Sequence, residues 1–240
     1  MKHIIKQVSP TDFEAWKKNK KNRKQDLERI KNLTLEGLNE RRDNLKSKKQ
    51  VYKNLRISLL EEQGFICCYC QNKISLDLNN VEIEHLIPRS VDGTLAFEYD
   101  NLLASCKGGR KNEDEEVTEG HCNYWKGNKT LIITPLQDDC ENYYSYIEIY
   151  DTDDLQIKVI GLNANAETVI QTLNLNTPKL RRLRGAALSG YLENISKTNA
   201  KILLLKLEAE SNNSTPQPLR PFIQILIHLL KYNYIGNHNA

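Results

Sequence analysis

The chain has 240 residues, 39% of them apolar and 27% charged, with a mean hydropathy of −0.60. That is the length of one or two domains, with enough chain to bury a core and a polar balance overall. The longest apolar-rich runs, 203–205 and 222–230, fall short of the ~20 residues a membrane span needs, and the first residues lack the apolar stretch and cleavage site of a secretory signal. The expectation is therefore a cytoplasmic protein with no membrane contact.

The formal net charge is +3, but it is unevenly spread. Residues 1–56 hold 17 Lys/Arg against 7 Asp/Glu, a net of +10, and the rest of the chain nets −7. A basic segment of this kind suits a phosphate backbone, although an acidic protein partner would satisfy the same charge.

In chain order, Ser9-Pro10-Thr11-Asp12 reads as a helix start. A long polar helix is expected to follow, with Phe13, Trp16, Leu27, Ile30, Leu33, Leu38 and Leu45 as its apolar stripe. Gly37 and Asn39 weaken it, so two helices are also compatible. A further helix is expected over about 55–64. From Cys67 to about Lys129 the helical periodicity disappears, five of the six cysteines fall, and Val81-Glu82-Ile83-Glu84-His85 alternates as a strand does. Residues 107–120 read as a charged loop with an acidic run, Glu113–Glu116. A hairpin is expected from 145–150 and 155–160, then helices at about 164–174, 177–195, 197–210 and 218–231, the last preceded by a polar linker at 211–216. The organisation expected is a basic helical region over 1–64, a central region over 65–130, and a hairpin followed by helices over 131–240.

The cysteines are Cys67, Cys68, Cys70, Cys106, Cys122 and Cys140. Five clustered cysteines in a chain without a secretory signal point to a metal rather than to disulfides. Cys67 and Cys70 have the two-residue gap of a thiolate knuckle, and Cys106 and Cys122 are the natural second pair for a tetrahedral Zn²⁺. Fifteen residues separate that second pair, so Cys68 and His121 stay open as competing ligands. Cys140 reads as a free buried thiol.

Inside this framework lie Glu84-His85-Leu86-Ile87-Pro88-Arg89, then Asn101-Leu102, then Cys122-Asn123-Tyr124-Trp125-Lys126. In that order, with Cys67-x-x-Cys70 before them, these residues resemble the HNH nuclease family over about 65–129. The resemblance implies an α+β fold with a zinc-stabilised ββα-metal core, flanked by the basic helical arm and the C-terminal helices. It also implies a metal-dependent endonuclease that hydrolyses phosphodiester bonds, with DNA the favoured substrate. Such cleavage needs an activated water and a cation on the phosphoryl oxygens. His85 suits the general base. Glu84 and Asn123 would hold a catalytic Mg²⁺ or Mn²⁺ through oxygen, although neighbours on a strand point to opposite faces unless its end twists. Asn101 matches an asparagine that braces the histidine loop, and Arg89 and Lys126 are candidate phosphate contacts. Glu84 stands where Asp is commoner, and the loop between Cys106 and Cys122 is long and acidic.

The flanks narrow the resemblance. Pro10-Thr11-Asp12-Phe13-Glu14-Ala15-Trp16-Lys17, the expanded Cys106–Cys122 loop, and Leu173-Asn174-Leu175-Asn176 with Arg181–Arg184 beyond it are similar to PtuB-type HNH proteins of Septu and some retron anti-phage systems. That likeness implies an ATPase partner (PtuA-like) docking on the helical regions, and a retron reverse transcriptase and its non-coding RNA as a further possible assembly. Two other readings fit the residues: a zinc-stabilised adaptor that binds nucleic acid or protein without cutting, and an HNH nuclease directed at RNA.

Overall fold

The computed structural model describes residues 1–19, 42–77, 80–109, 118–151, 154–212 and 217–236. Leu27, Ile30, Leu33 and Leu38 of the expected stripe, and the acidic run Glu113–Glu116, lie outside these residues.

A short helix, α1 (Thr11–Lys18), buries Phe13 and Trp16. The Trp16 ring meets Tyr52 and Phe97 edge-on, with centroids 5.7 and 5.3 Å apart, an arrangement aromatic quadrupoles favour. Helix α2 (Arg42–Glu62) is continuous and begins well before the expected start at about 55. Its inward stripe of Leu55, Leu59 and Leu60 is buried at the 4–5-residue spacing of one helix face. Gly64, at φ +64°, and the bond from Phe65 N–H to Leu60 O (2.8 Å) end it, in the left-handed termination glycine permits.

The chain then enters a small antiparallel sheet of β1 (Glu82–His85) and β2 (Leu102–Ser105), with Glu82 opposite Ser105 and His85 opposite Leu102. Gln63, just past α2, acts as a side-chain clip on this sheet. Its amide donates to Ala104 O (2.8 Å) and accepts from Ala104 N–H (2.7 Å). Two short 3₁₀ turns, Gly93–Phe97 and Tyr99–Asn101, connect the strands. A five-residue helix, α3 (Cys122–Lys126), follows the loop after β2.

The second sheet pairs β3 (Tyr144–Asp151) with β4 (Asp154–Gly161) over eight positions. Helices α4 (Ala164–Leu173), α5 (Pro178–Leu192), α6 (Lys197–Ser211) and α7 (Ile223–Leu229) complete the fold. Asn163, Thr177 and Ser196 cap the first three through their side-chain oxygens, the residue types that best satisfy the orphan N–H groups of a first turn. The last helix begins at Ile223, five residues later than the expected start at about 218. Phe222 sits in the left-handed region at φ +60°, which a helix cannot propagate through, and the chain continues as a π-turn over Leu230–Ile235.

The buried apolar side chains form one connected core from α1 to α7. Helix α5 comes closest to the second sheet at Gly185, where a Cβ would lie 1.6 Å from Leu155 O. No helix among the described residues is long and apolar enough to cross a membrane.

Gly185→Ala should therefore force α5 off β4. A loss of about 1–3 kcal/mol is expected for such overpacking, read as a lower midpoint in urea unfolding. The exposed Gly190→Ala, which meets nothing within 4 Å, is the control.

Candidate metal centre and active site

The sulfurs of Cys67, Cys70, Cys106 and Cys122 all lie within 4.8 Å of one another, and all four residues are buried. Cys67 Sγ is 3.9 Å from Cys122 Sγ, and Cys70 Sγ is 3.9 Å from Cys106 Sγ. Four sulfurs bonded tetrahedrally at 2.3 Å stand about 3.8 Å apart, so the spacing already fits an ion at the centre, and no disulfide joins any pair. Cys68 and His121 are buried beside the site but outside this set.

Local backbone geometry accounts for the convergence. The knuckle turns through Gln71 N–H to Cys67 O (3.0 Å) and Cys67 N–H to Asn72 O (2.8 Å). Gln71 takes the left-handed conformation at φ +64°. On the other side the long loop is closed at its base where His121 N–H donates to Gly108 O (3.1 Å). Gly108 is also left-handed, and a Cβ there would lie 2.1 Å from His121 O, so only glycine fits. Cys122 itself adopts φ +54°, a strained setting for a non-glycine residue that places its sulfur in the cluster. The Cys106 N–H points at Cys67 Sγ (3.3 Å). Burial works against it, but hydrogen bonds from the Cys106 and Cys122 thiols hold the Cys67 thiol well below its ordinary range.

Glu84 and His85 stand side by side on β1 with different surroundings. Glu84 is 2% exposed. Its Oε1 accepts from the Tyr69 hydroxyl (2.9 Å) and from Lys126 Nζ (2.6 Å). Burial pushes its carboxyl above the usual range, opposed chiefly by Lys126. The same Lys126 Nζ donates to the carbonyl of His85 (3.0 Å). Lys126 is 1% exposed, so it is an internal cation tying α3 to β1, not the surface phosphate contact its position beside the signature suggested. The ridge spacing of α3 explains this: Asn123 and Lys126, three apart, share the helix face that looks at Glu82 and Glu84, two apart on one face of β1.

Asn123 Nδ2 donates to Glu82 Oε2 (2.8 Å). The two residues expected to share an ion are thus tied to different partners, Glu84 through Oε1 to Tyr69 and Lys126 and Asn123 through its amide nitrogen to Glu82. Glu82, absent from the expected set, sits beside Asn123. Its place two residues before Glu84 in a strand is the signal that puts it on the same face.

His85 Nε2 lies 3.0 Å from Ala96 O. A carbonyl only accepts, so Nε2 carries the proton and Nδ1 is left as the acceptor. Burial lowers the His85 pKa to about 4, with Arg89 and Lys126 pushing the same way against the Ala96 hydrogen bond. Asn101, 6% exposed, locks both sides of this arrangement. Its Oδ1 accepts from Ile87 N–H (2.7 Å), and its Nδ2 donates to Ile87 O (3.0 Å) and Leu95 O (3.1 Å). One end of that bridge is the loop leaving β1 and the other is the 3₁₀ turn bearing Ala96. Trp16 of α1 packs on the same turn through Phe97. Arg89 is exposed on the loop after β1.

Lys126→Met should leave the Glu84 carboxylate buried without its counter-ion, a loss of about 3–5 kcal/mol. The double variant Glu84→Gln with Lys126→Met should recover much of it. Urea unfolding of the single and double variants measures the coupling, and additive losses would show that the pair does not act as a unit.

No protein-family model matches the chain. Among curated proteins it is 31% identical over 140 residues to "Retron Vc95 putative HNH endonuclease" of Vibrio cholerae serotype O1 biovar El Tor, covering 55% of this chain and 62% of that protein. It is 25% identical over 126 residues to "Septu protein PtuB" of Bacillus thuringiensis, covering 51% of this chain and 41% of that protein. The matches span less than two thirds of either relative. They agree with the kinship the motifs suggested: part of the chain is similar to a retron protein named as an HNH endonuclease and to a Septu PtuB protein.

Proposed function

We propose that the chain is a metal-dependent HNH endonuclease of the ββα-metal type, hydrolysing phosphodiester bonds of DNA as the nuclease of an anti-phage system in the cytoplasm. The observation that carries this reading is the state of His85: a neutral imidazole whose Nε2 is fixed on the Ala96 carbonyl, leaving Nδ1 to take a proton from water. A base needs both the right protonation state and a fixed direction, and together these contribute about 10²–10⁴-fold in rate. The order β1, β2, α3 around four gathered thiols supports the fold assignment. The regions 1–64, 65–130 and 131–240 then serve as arm, nuclease core and helical support.

In this reading Zn²⁺ is held by Cys67, Cys70, Cys106 and Cys122, a closed set of four that leaves no open position and so serves structure. Glu84, Glu82 and Asn123 carry the oxygen donors a hard divalent ion takes. Such an ion, Mg²⁺ or Mn²⁺, when bound supplies charge for the phosphoryl oxygens and the leaving oxygen. Asn101 is a positioning residue that holds the His85 loop and the Ala96 turn in register. Arg89, exposed near His85, contacts phosphate. The likeness to Septu PtuB supports an ATPase partner of the PtuA kind. The retron relative supports a reverse transcriptase and its RNA as the alternative assembly.

A second reading has its own observation. Because the Glu84 carboxylate is already neutralised by Lys126, the same fold would serve as a zinc-stabilised adaptor that binds nucleic acid or protein without cutting. Stripping divalent ions with EDTA and restoring Mg²⁺ separates the two: cleavage products that return with Mg²⁺ favour the nuclease. Parallel DNA and RNA substrates decide which is cut.

His85→Ala should lower nicking by at least about 100-fold while leaving zinc content and circular dichroism unchanged. Full activity in a purified nuclease-free preparation would remove His85 as the base. With its pKa near 4, His85 stays neutral through pH 5, so the acid limb of kcat/KM should fall near about 4 and not near 6.5. The folded protein binds fewer protons here than the unfolded chain between those two values. His85 should therefore also make stability fall as pH drops through that window, a dependence the alanine variant loses.

A further inference from the structure

Tyr69 stands between Cys68 and Cys70 in the thiol knuckle and is among the largest fully buried side chains, 1% exposed. Its hydroxyl is used away from the knuckle, on β1, where it donates to Glu84 Oε1 (2.9 Å). The backbone beside it is held to β2, since Cys68 N–H donates to Ala104 O (3.1 Å). In the register of that sheet Glu84 faces Leu103, the neighbour of Ala104. The knuckle thus straddles both strands, with a main-chain bond on one and a side-chain bond on the other.

Glu84 Oε1 has a second donor, Lys126 Nζ at 2.6 Å. Both donors come from segments that carry thiols of the cluster. Tyr69 lies between Cys67 and Cys70, and Lys126 is the last residue of the five-residue α3 that Cys122 begins. Both also land on the same oxygen, and among the described residues no hydrogen bond or ion pair falls on Oε2. The two donors differ in what they fix. An ammonium on a flexible four-carbon stem follows a carboxylate through a rotation. A phenol O–H sits at the end of a rigid ring, and a ring locked by packing gives its hydrogen bond one direction. The Tyr69 hydroxyl therefore sets the plane of the carboxylate, while Lys126 neutralises it.

We propose that Tyr69 is a positioning residue that orients the Glu84 carboxylate from the thiol knuckle, so that Oε2 is the oxygen left for the catalytic divalent ion. The inference rests on the reading that Glu84 is a ligand of that ion. Without the hydroxyl, Lys126 still holds the carboxylate, but the group turns about its terminal bond and either oxygen can take the ammonium. The ion then loses a ligand set in advance, which is what a hydrogen-bonded outer partner provides.

The test uses the full chain as purified, with zinc per chain by elemental analysis, Mn²⁺ affinity by electron paramagnetic resonance, and nicking as a function of Mn²⁺ concentration. Tyr69→Phe keeps the ring and leaves Lys126 in place, so its zinc content should match wild type. It should bind Mn²⁺ about 10- to 100-fold more weakly, the usual effect of losing such a partner. The Mn²⁺ concentration for half-maximal nicking should rise by the same factor, with kcat recovered at saturating Mn²⁺. A hydroxyl that served packing alone would lower the urea midpoint and leave Mn²⁺ affinity where it was. Glu84→Gln should weaken Mn²⁺ binding at least as much, and Tyr69→Phe added to it should cost nothing further, because Tyr69 acts only through Glu84. Unchanged Mn²⁺ affinity in Tyr69→Phe, beside a weakened Glu84→Gln, would overturn the proposal. So would a further loss in the double variant, or loss of zinc or of the fold from Tyr69→Phe, which would make the hydroxyl a prop of the thiol knuckle. Wild-type Mn²⁺ affinity in Glu84→Gln would instead overturn the reading of Glu84 as a ligand, and the inference with it.

Discussion

Four buried sulfurs, none joined to another, draw on parts of the chain as far apart as Cys67 and Cys122. All four are buried within the apolar core, and thiols packed this closely repel as soon as they ionise. Their convergence is the constraint that organises the centre of the molecule. The knuckle after α2, the exit of β2 and the start of α3 all meet there. The sheet that carries Glu84 and His85 is held between the knuckle and α3. A cation at the centre would remove the repulsion and join these three segments into one rigid node.

From that node the structure divides the two neighbouring residues of β1 between two kinds of environment. One face of the strand is electrically closed. Glu84, Lys126 and Tyr69 satisfy one another in near-complete burial, and the ammonium reaches on to the His85 carbonyl. The other side carries an imidazole whose proton is fixed by a backbone carbonyl. The buried pair contributes geometry more than stability, since a buried ion pair often gains little over an apolar replacement. Its value is that it locks the height of α3 against the strand.

The C-terminal helices are part of the same arrangement. Asn174 and the backbone around Phe222 reach the segments beside the thiol cluster, at Gly120 and Gln71, while Asn176 and Arg184 hold carbonyls of β4 and, for Arg184, that of Leu175. Their polar groups are engaged inside the protein. The outward faces of α5 and α6 instead expose Leu183, Ile202 and Leu205.

Much was legible in the sequence because it rests on local chemistry. The spacing of Cys67 and Cys70, the alternation of Glu82 to His85, the capped starts of α4 to α6 and the two strands around 151–154 each follow from residues within a few positions of one another. What depended on distant contacts was not legible. The sequence made Lys126 a surface cation, because nothing nearby in the chain shows that its helix face meets Glu84. It paired Asn123 with Glu84, because the register between α3 and β1 that brings Glu82 to Asn123 is set only when the loop from Cys106 to Cys122 closes. It left Arg184 as one basic residue among several on a helix, since its burial depends on Gly185 letting α5 sit against the β4 backbone. Residue type and short spacing determine which groups are present and which local turns they make. Which groups face each other, and so which charges are neutralised and which imidazole stays free to act, is decided by packing between segments far apart in the chain.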